Sequence, residues 1–230
     1  MAEARTASPP GAASRPPRRT QAERSEATRA RLAAAAYETV AAGGLSALTM
    51  RSVATAAGVS PGALLHHFPD KNALIVVAIV HALELARVDS AVWLDTGARQ
   101  PEPLLRAMLA ELRGFFFSDR FWVAMGITME AMRDPELSRT VRQTVAVLRT
   151  PIYRAWAELL ENAGWPRAEA IKTVRAGASL VSGGAIRRFW ANVDAVTEQI
   201  EEDWIGERLA RLGADRDQTV RPPASAPPAC

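Results

Sequence analysis

AGVSPGALLHHFPDKNAL, residues 57–74, fences a short helix at both ends. Ser60 is a capping residue, and Pro61 falls at the first helical position, where its missing N–H leaves nothing unsatisfied. At roughly 100° per residue Leu64 and Phe68 share one face and are the core contacts. Gly62, Ala63 and His66 point the opposite way, with Leu65 and His67 on the flanks. Pro69 ends the helix and Asp70 caps the next one, with Lys71 in its first turn. A lysine is ill placed there, because the helix dipole favours an acid at that end. An anion held between Lys71 and the amide groups relieves the conflict.

Upstream, Met50, Val53, Ala54 and Ala57 recur at i, i+3, i+4 and i+7 and form the buried stripe of a helix that begins near Leu48–Thr49 and stops at Gly58. An earlier helix starts at Thr20, where Thr20 and Glu23 form a capping box, and runs through Leu32, Tyr37 and Val40 to the glycines at 43–44. A helix, a tight turn from Gly58 to Pro61, and a short second helix with small residues and histidine outward is the plan of a helix-turn-helix, whose second helix lies in the major groove of DNA. Small side chains let the backbone come close to base edges.

The segment RLAAAAYETVAAGGLSALTMRSVATAAGVSPGALLHHFPDKNAL, residues 31–74, resembles the TetR/AcrR family of bacterial transcriptional regulators. The match lies in the glycine after the first helix, the LTMRSVA opening of the second, the AGVS.G.L turn, the His-Phe pair and the lysine three residues after Phe68. The resemblance implies a homodimer on a palindromic double-stranded operator, most commonly a repressor released by a small ligand. It implies phosphate contacts from Thr49, His67 and Lys71, and places Arg51, Pro61, Gly62, Ala63 and His66 at or near bases. Ser60 and Leu65 complete the DNA-facing set. Family members usually carry tyrosine where this chain has Leu65; that hydroxyl commonly reaches a phosphate, and Leu65 replaces it with an apolar contact or none. Only Arg51 and His66 are then equipped to read bases, so phosphate contacts and DNA shape supply much of the specificity.

The rest of the chain bounds these expectations. Its 230 residues are 48% hydrophobic with a net charge of only +3, so bulk charge does not announce a nucleic-acid partner. Arginines cluster locally at 15, 18, 19, 24, 29 and 31, against Glu23 and Glu26. Such an arm either follows a phosphate backbone, the minor groove included, or merely solubilises the chain. The single cysteine, Cys230, excludes an internal disulfide or a cysteine-based metal site. Residues 1–17 lack the pattern of a secretory leader, and the longest apolar run, at 73–86, is too short for a bilayer and carries His81 and Glu84. A cytoplasmic protein with no membrane partner is expected. His81 reads as a polar residue at a helix–helix junction. His66–His67 lack further ligands at metal spacing, so neither metal nor cofactor is expected.

The expected fold is all-α. A disordered basic arm, 1–19, precedes a three-helix DNA-binding domain, 20–70. A ligand-binding and dimerisation domain follows at 71–213, its first helix linking the two, and then a disordered tail, 214–230. Past residue 100 the pattern predicts helices at 103–118, 119–133, 135–162, 166–191 and 193–212. Met125, Met129 and Met132 stand one turn apart beside Trp122, and with Phe116, Tyr153 and Trp156 they are candidate walls of a pocket for a small hydrophobic ligand; ordinary core is the alternative. Gly177, Ala178, Ser182 and Ala185 form a small-residue stripe flanked by Val174 and Val181. With Ile205 and Leu209 it is the candidate seam of the four-helix dimer interface that the family resemblance implies. Intrachain packing is again the alternative. No phosphate-cradling glycine loop, nucleophile elbow or His-Glu metal motif supports an enzyme. A helical adaptor would leave the capped helix and Thr49, His67 and Lys71 without a purpose. An activator or a ligand-independent regulator would share this N-terminus and stays open.

Overall fold

The computed structural model describes residues 20–95, 97–190 and 195–220; Arg15, Arg18 and Arg19 of the basic arm lie outside them. Nine helices and no strands occur among the described residues: α1 (Gln21–Ala47), α2 (Met50–Ala56), α3 (Pro61–His67), α4 (Lys71–Leu94), α5 (Pro101–Phe116), α6 (Asp119–Ala131), α7 (Pro135–Asn162), α8 (Arg167–Arg187) and α9 (Ala195–Val220).

Local chemistry sets most of the boundaries. The capping box at the start of α1 is present: the Thr20 amide donates to Glu23 Oε2 at 2.7 Å and the Glu23 amide to Thr20 Oγ1 at 3.2 Å. Gly44, at φ 68° and ψ −176°, breaks α1, but a short turn carries the chain on to Ala47 rather than ending it at the glycines. Pro101, not Pro103, takes the first position of α5; the proline at 103 still lies in the first turn, where amides have no intrahelical partner. α9 continues to Val220, past the boundary expected at 213, because Gly213 does not take the left-handed cap conformation and no proline appears before Pro222. The helix expected at 166–191 closes at Arg187, followed by turns in which Phe189 and Trp190 donate to Ile186 and Arg187.

α4 joins the two halves. Its buried residues include Leu74, Ile75, Ala78, Ile79, Ala82, Leu83 and Ala86. A helix apolar on so many sides must be surrounded, and α1, α5, α6 and α7 all pack on it. α2 and α3 hang from this frame through Leu48, Val53, Leu64 and Phe68, all buried. Arg29 is not a free arm residue: its guanidinium lies 4.9 Å from the centroid of the Phe68 ring and ties α1 to the end of α3.

His81 on α4 packs against Tyr37 of α1, ring centroids 5.5 Å apart. Burial pushes its pKa down, while the nearby Glu38 acts weakly the other way. The folded state therefore takes up the proton later than the unfolded chain, whose histidine titrates near about 6.5. Stability falls as pH drops below that value. Urea denaturation at pH 7.5 and 5.5 should show a smaller acid-side loss in His81→Gln than in the parent; an equal loss would assign the acid sensitivity to other groups.

Candidate nucleic-acid interface and ligand domain

The turn between α2 and α3 is built by its own backbone. Gly58, at φ 63°, lets its amide donate to the Thr55 carbonyl (3.1 Å) and the Val59 amide to the Ala54 carbonyl (3.0 Å). These paired bonds close α2 in the left-handed cap that glycine favours. Ser60 then opens α3, its hydroxyl accepting from the Ala63 amide at 3.2 Å, with Pro61 next. Asp70 opens α4 by accepting from the Ala73 amide at 2.8 Å. Three caps within a short segment fix where α3 starts and where α4 begins, and the buried Leu64 and Phe68 seat it on the frame.

The outward side follows from what is buried. Leu64 and Phe68 point inward, and Pro61, Gly62, Leu65 and His66 are exposed, with Ala63 and His67 half-buried. His66 and His67 meet edge to face, centroids 5.3 Å apart. Thr49 and Arg51 at the start of α2 and Lys71 at the start of α4 are exposed as well. Thr49 Oγ1 accepts from the Ser52 amide at 3.0 Å, while Ser52 Oγ receives the Thr49 amide at 2.9 Å. Ser52 was not singled out from the sequence, although the Thr-Met-Arg-Ser spacing is a capping box with serine in place of glutamate. Its hydroxyl also bonds the Ala47 carbonyl at 2.8 Å, so it fixes Thr49 against the end of α1. Lys71 and Asn72 border a groove with Glu130, Arg133 and Asp134, where α4 meets the α6–α7 junction. No group of three or more metal-ligating side chains occurs among the described residues.

In the larger domain the candidate pocket residues do not gather around one cavity. Met129 and Met132 are 64% and 68% exposed, on the outer side of α6. The inner side of α6 is taken by Phe121, Ala124, Ile127 and Ala131, which face α1, α4 and α7. Met125 and Trp122 are half-buried, and Trp122 meets Phe189 at 4.5 Å. Phe116 is buried in an aromatic cluster with Phe115 and Phe121, and Trp156 is fully buried core. Tyr153 borders a groove of about 320 Å³ between α7 and α8.

The small-residue stripe of α8 is covered from within the chain. Val174, Gly177, Ala178, Val181 and Ala185 are buried within the single chain, as is Ile205. They face α5, α7 and α9, not outward to a second copy. A Cβ on Gly177 would stand 3.0 Å from Met108 Cε and 3.4 Å from Trp204 Cη2. The glycine is required by close approach inside one subunit. Ser182 and Leu209 are half-buried, and Gly183 faces open space.

No described helix is long and apolar enough to cross a membrane. Residues 32–78 match the family model "Bacterial regulatory proteins, tetR family". The chain is 31% identical over 175 residues to the HTH-type transcriptional regulator CymR of Pseudomonas putida, covering 76% of this chain and 86% of that protein. It is 27% identical over 202 residues to the HTH-type transcriptional regulator BetI of Burkholderia mallei, covering 80% and 95%. Among solved structures, a TetR-family regulator from Mesorhizobium loti shares the fold with a TM-score of 0.62 at 16% identity, over 81% of this chain and 97% of that one. A transcriptional regulator from Saccharomonospora viridis in complex with choline has a TM-score of 0.60 at 18% identity, over 78% and 94%. With a helix-turn-helix at its N-terminus, a helical domain behind it and a relative of this identity across most of its length, the chain belongs to the TetR family of DNA-binding transcriptional regulators and is not an enzyme.

Proposed function

We propose that the protein is a cytoplasmic homodimeric repressor that binds a palindromic operator through α3 and leaves it when a small, largely apolar ligand enters the α4–α8 domain. One observation carries the DNA-facing assignment: α3 buries Leu64 and Phe68 and exposes a low, uncharged ridge of Pro61, Gly62, Leu65 and His66. Such a ridge has nothing to hold inside the protein and fits a groove that the backbone must approach closely. Thr49, His67 and Lys71 act on phosphates; Arg51 and His66 read base edges. Ser60 and Ala63 set the start of the helix, and Leu65 makes an apolar contact.

Two copies meet through the outward sides of α8 and α9. Phe189 and Trp190, just past the end of α8, and Val196 and Ile200 at the start of α9 are exposed large apolar residues, the kind of surface that marks an interface. Ser182 and Leu209, half-buried on the same two helices, are assigned to this interface.

Fluorescence anisotropy against the gene's own upstream DNA, beside a scrambled duplex at the same salt, tests the reading. A preference of about a thousandfold or more, with two subunits per operator, is expected. Equal binding to both duplexes would remove the operator. Lys71→Ala should weaken specific and random DNA alike and lower the slope of log affinity against log salt by about one. A loss confined to the operator would show that Lys71 is not a simple phosphate contact.

A further inference from the structure

In the middle of the α4–α8 domain sits a charged pair for which the DNA-binding role has no use. Arg149 of α7 and Glu111 of α5 are 4% and 2% exposed. The guanidinium lies 4.0 Å from the Phe115 ring centroid and 5.1 Å from that of Tyr153, so aromatic rings flank it. Its Nη1 is 3.5 Å from Glu111 Oε1, close enough for attraction but without hydrogen-bond alignment. Nε, Nη1 and Nη2 of Arg149 have no hydrogen-bond partner, and neither has Glu111 Oε2. Ser90 of α4 holds the other carboxylate oxygen, its Oγ 2.5 Å from Glu111 Oε1.

Buried polar groups are ordinarily satisfied, and an ion pair away from water destabilises a fold unless its remaining donors find acceptors. Here three nitrogens lack acceptors and one oxygen lacks a donor, so the deficit is of acceptors. A cavity of about 160 Å³ runs to this place from the surface, lined by Trp93, Ser90, Glu111 and Phe115, with Asp89 and Arg120 paired at its mouth. That volume suits a single ring. Arg149 itself does not line the cavity; Phe115 does and covers the guanidinium, so the two join when its ring turns aside.

We infer that Arg149 is the receptor for the carboxylate head of a small planar ligand, held in the cavity between α4 and α5. The guanidinium fork presents paired N–H groups to the two carboxylate oxygens, a geometry an ammonium cannot reproduce. Phe115 and Trp93 flank the ring, and Glu111, oriented by Ser90, accepts from a hydroxyl where the ligand has one. Of the pocket candidates named from the sequence, Tyr153 lies beside Arg149, outside this cavity's lining. The assignment takes its consequence for DNA from the repressor reading above, but the binding itself does not depend on that reading.

Calorimetry on the full-length protein without DNA provides the test, with benzoate, phenylacetate and hexanoate as carboxylate probes and benzamide as the neutral control. Benzoate should bind at least about tenfold tighter than benzamide, since hydrogen bonds between two ionised groups are about twice as strong as neutral ones. The double variant Arg149→Met, Glu111→Gln removes both charges together and leaves no unpaired ion; it should lose at least about tenfold in benzoate affinity while its helical circular dichroism is retained. Arg149→Lys, which keeps the charge but not the fork, should fall between the two and serves if the double variant fails to fold. Heat from none of the carboxylates, benzamide binding as tightly as benzoate, or unchanged affinity in the variants would each overturn the assignment and leave a hydrated structural pair. Benzoate binding that leaves the operator complex intact would uphold the site and refute ligand-triggered release.

Discussion

Gly62→Glu yields a protein at least as stable as the parent that no longer binds its operator. Beyond α3's own backbone and the adjoining residues, nothing lies within 4 Å of where a Cβ at Gly62 would stand, so the substitution meets no packed neighbour. The position is in the first turn of α3, where an acidic side chain is favoured by the helix dipole, and replacing glycine in a helix stabilises by about 0.5–1 kcal/mol. The same carboxylate would stand on the ridge assigned to the major groove, against phosphates and base edges. Juxtaposed like charges cost several kcal/mol, which amounts to a loss of about a hundredfold or more. Thermal unfolding and anisotropy on the same preparation separate the two effects. An unaltered affinity in a stable variant would remove α3 from the DNA interface; a loss accompanied by unfolding would show that Gly62 packs in a way the open space denies.

Two positions on, Leu64→Ala acts in the opposite way. Leu64 is fully buried, and truncating such a leucine costs about 2–5 kcal/mol, depending on how far the cavity collapses. Against a total of about 5–15 kcal/mol for a folded domain, that is a large part of what holds α2 and α3 on α1 and α4. No contact assigned to DNA is removed, yet specific and random binding should fall together as the segment loosens. Urea denaturation gives the loss of stability, and amide exchange over residues 48–75 shows whether the opening is confined to this end. A cost below about 1 kcal/mol would mean that the caps at Gly58, Ser60 and Asp70, not the leucine anchor, carry the placement of α3.

Much of this was legible along the chain because it is local. Thr20, Gly58, Ser60, Pro61 and Asp70 act on amides a few residues away, so their spacing states both the helix boundaries and the turn. The family resemblance over residues 31–74 came from the same short-range features. The exposed side of α3 also followed, since Leu64 and, just past the helix end, Phe68 share one face and leave Pro61, Gly62 and His66 outward.

Beyond residue 100 the element types are legible in the chain but their neighbours are not. The methionines of α6 and the small stripe of α8 share helical faces, and periodicity identifies a face without naming what covers it. Met129 and Met132 face outward because Phe121, Ile127 and Ala131 fill the space toward α1, α4 and α7. Gly177 serves close approach to Met108 and Trp204 within one subunit, a contact between residues far apart in sequence.

Arg149 and Glu111 mark the same limit from the other side. Arg149 lies in register with Ile152, Trp156 and Leu160, and Glu111 with Leu104, Met108 and Phe115, so each charge sits on an apolar stripe. That much is visible in the chain. Caps, turns and helical faces are thus set by the sequence alone, because their interactions span a turn or two. That α5 and α7 bring the two charges together beside a cavity is decided only by tertiary packing, because their meeting depends on how helices separated by dozens of residues cross.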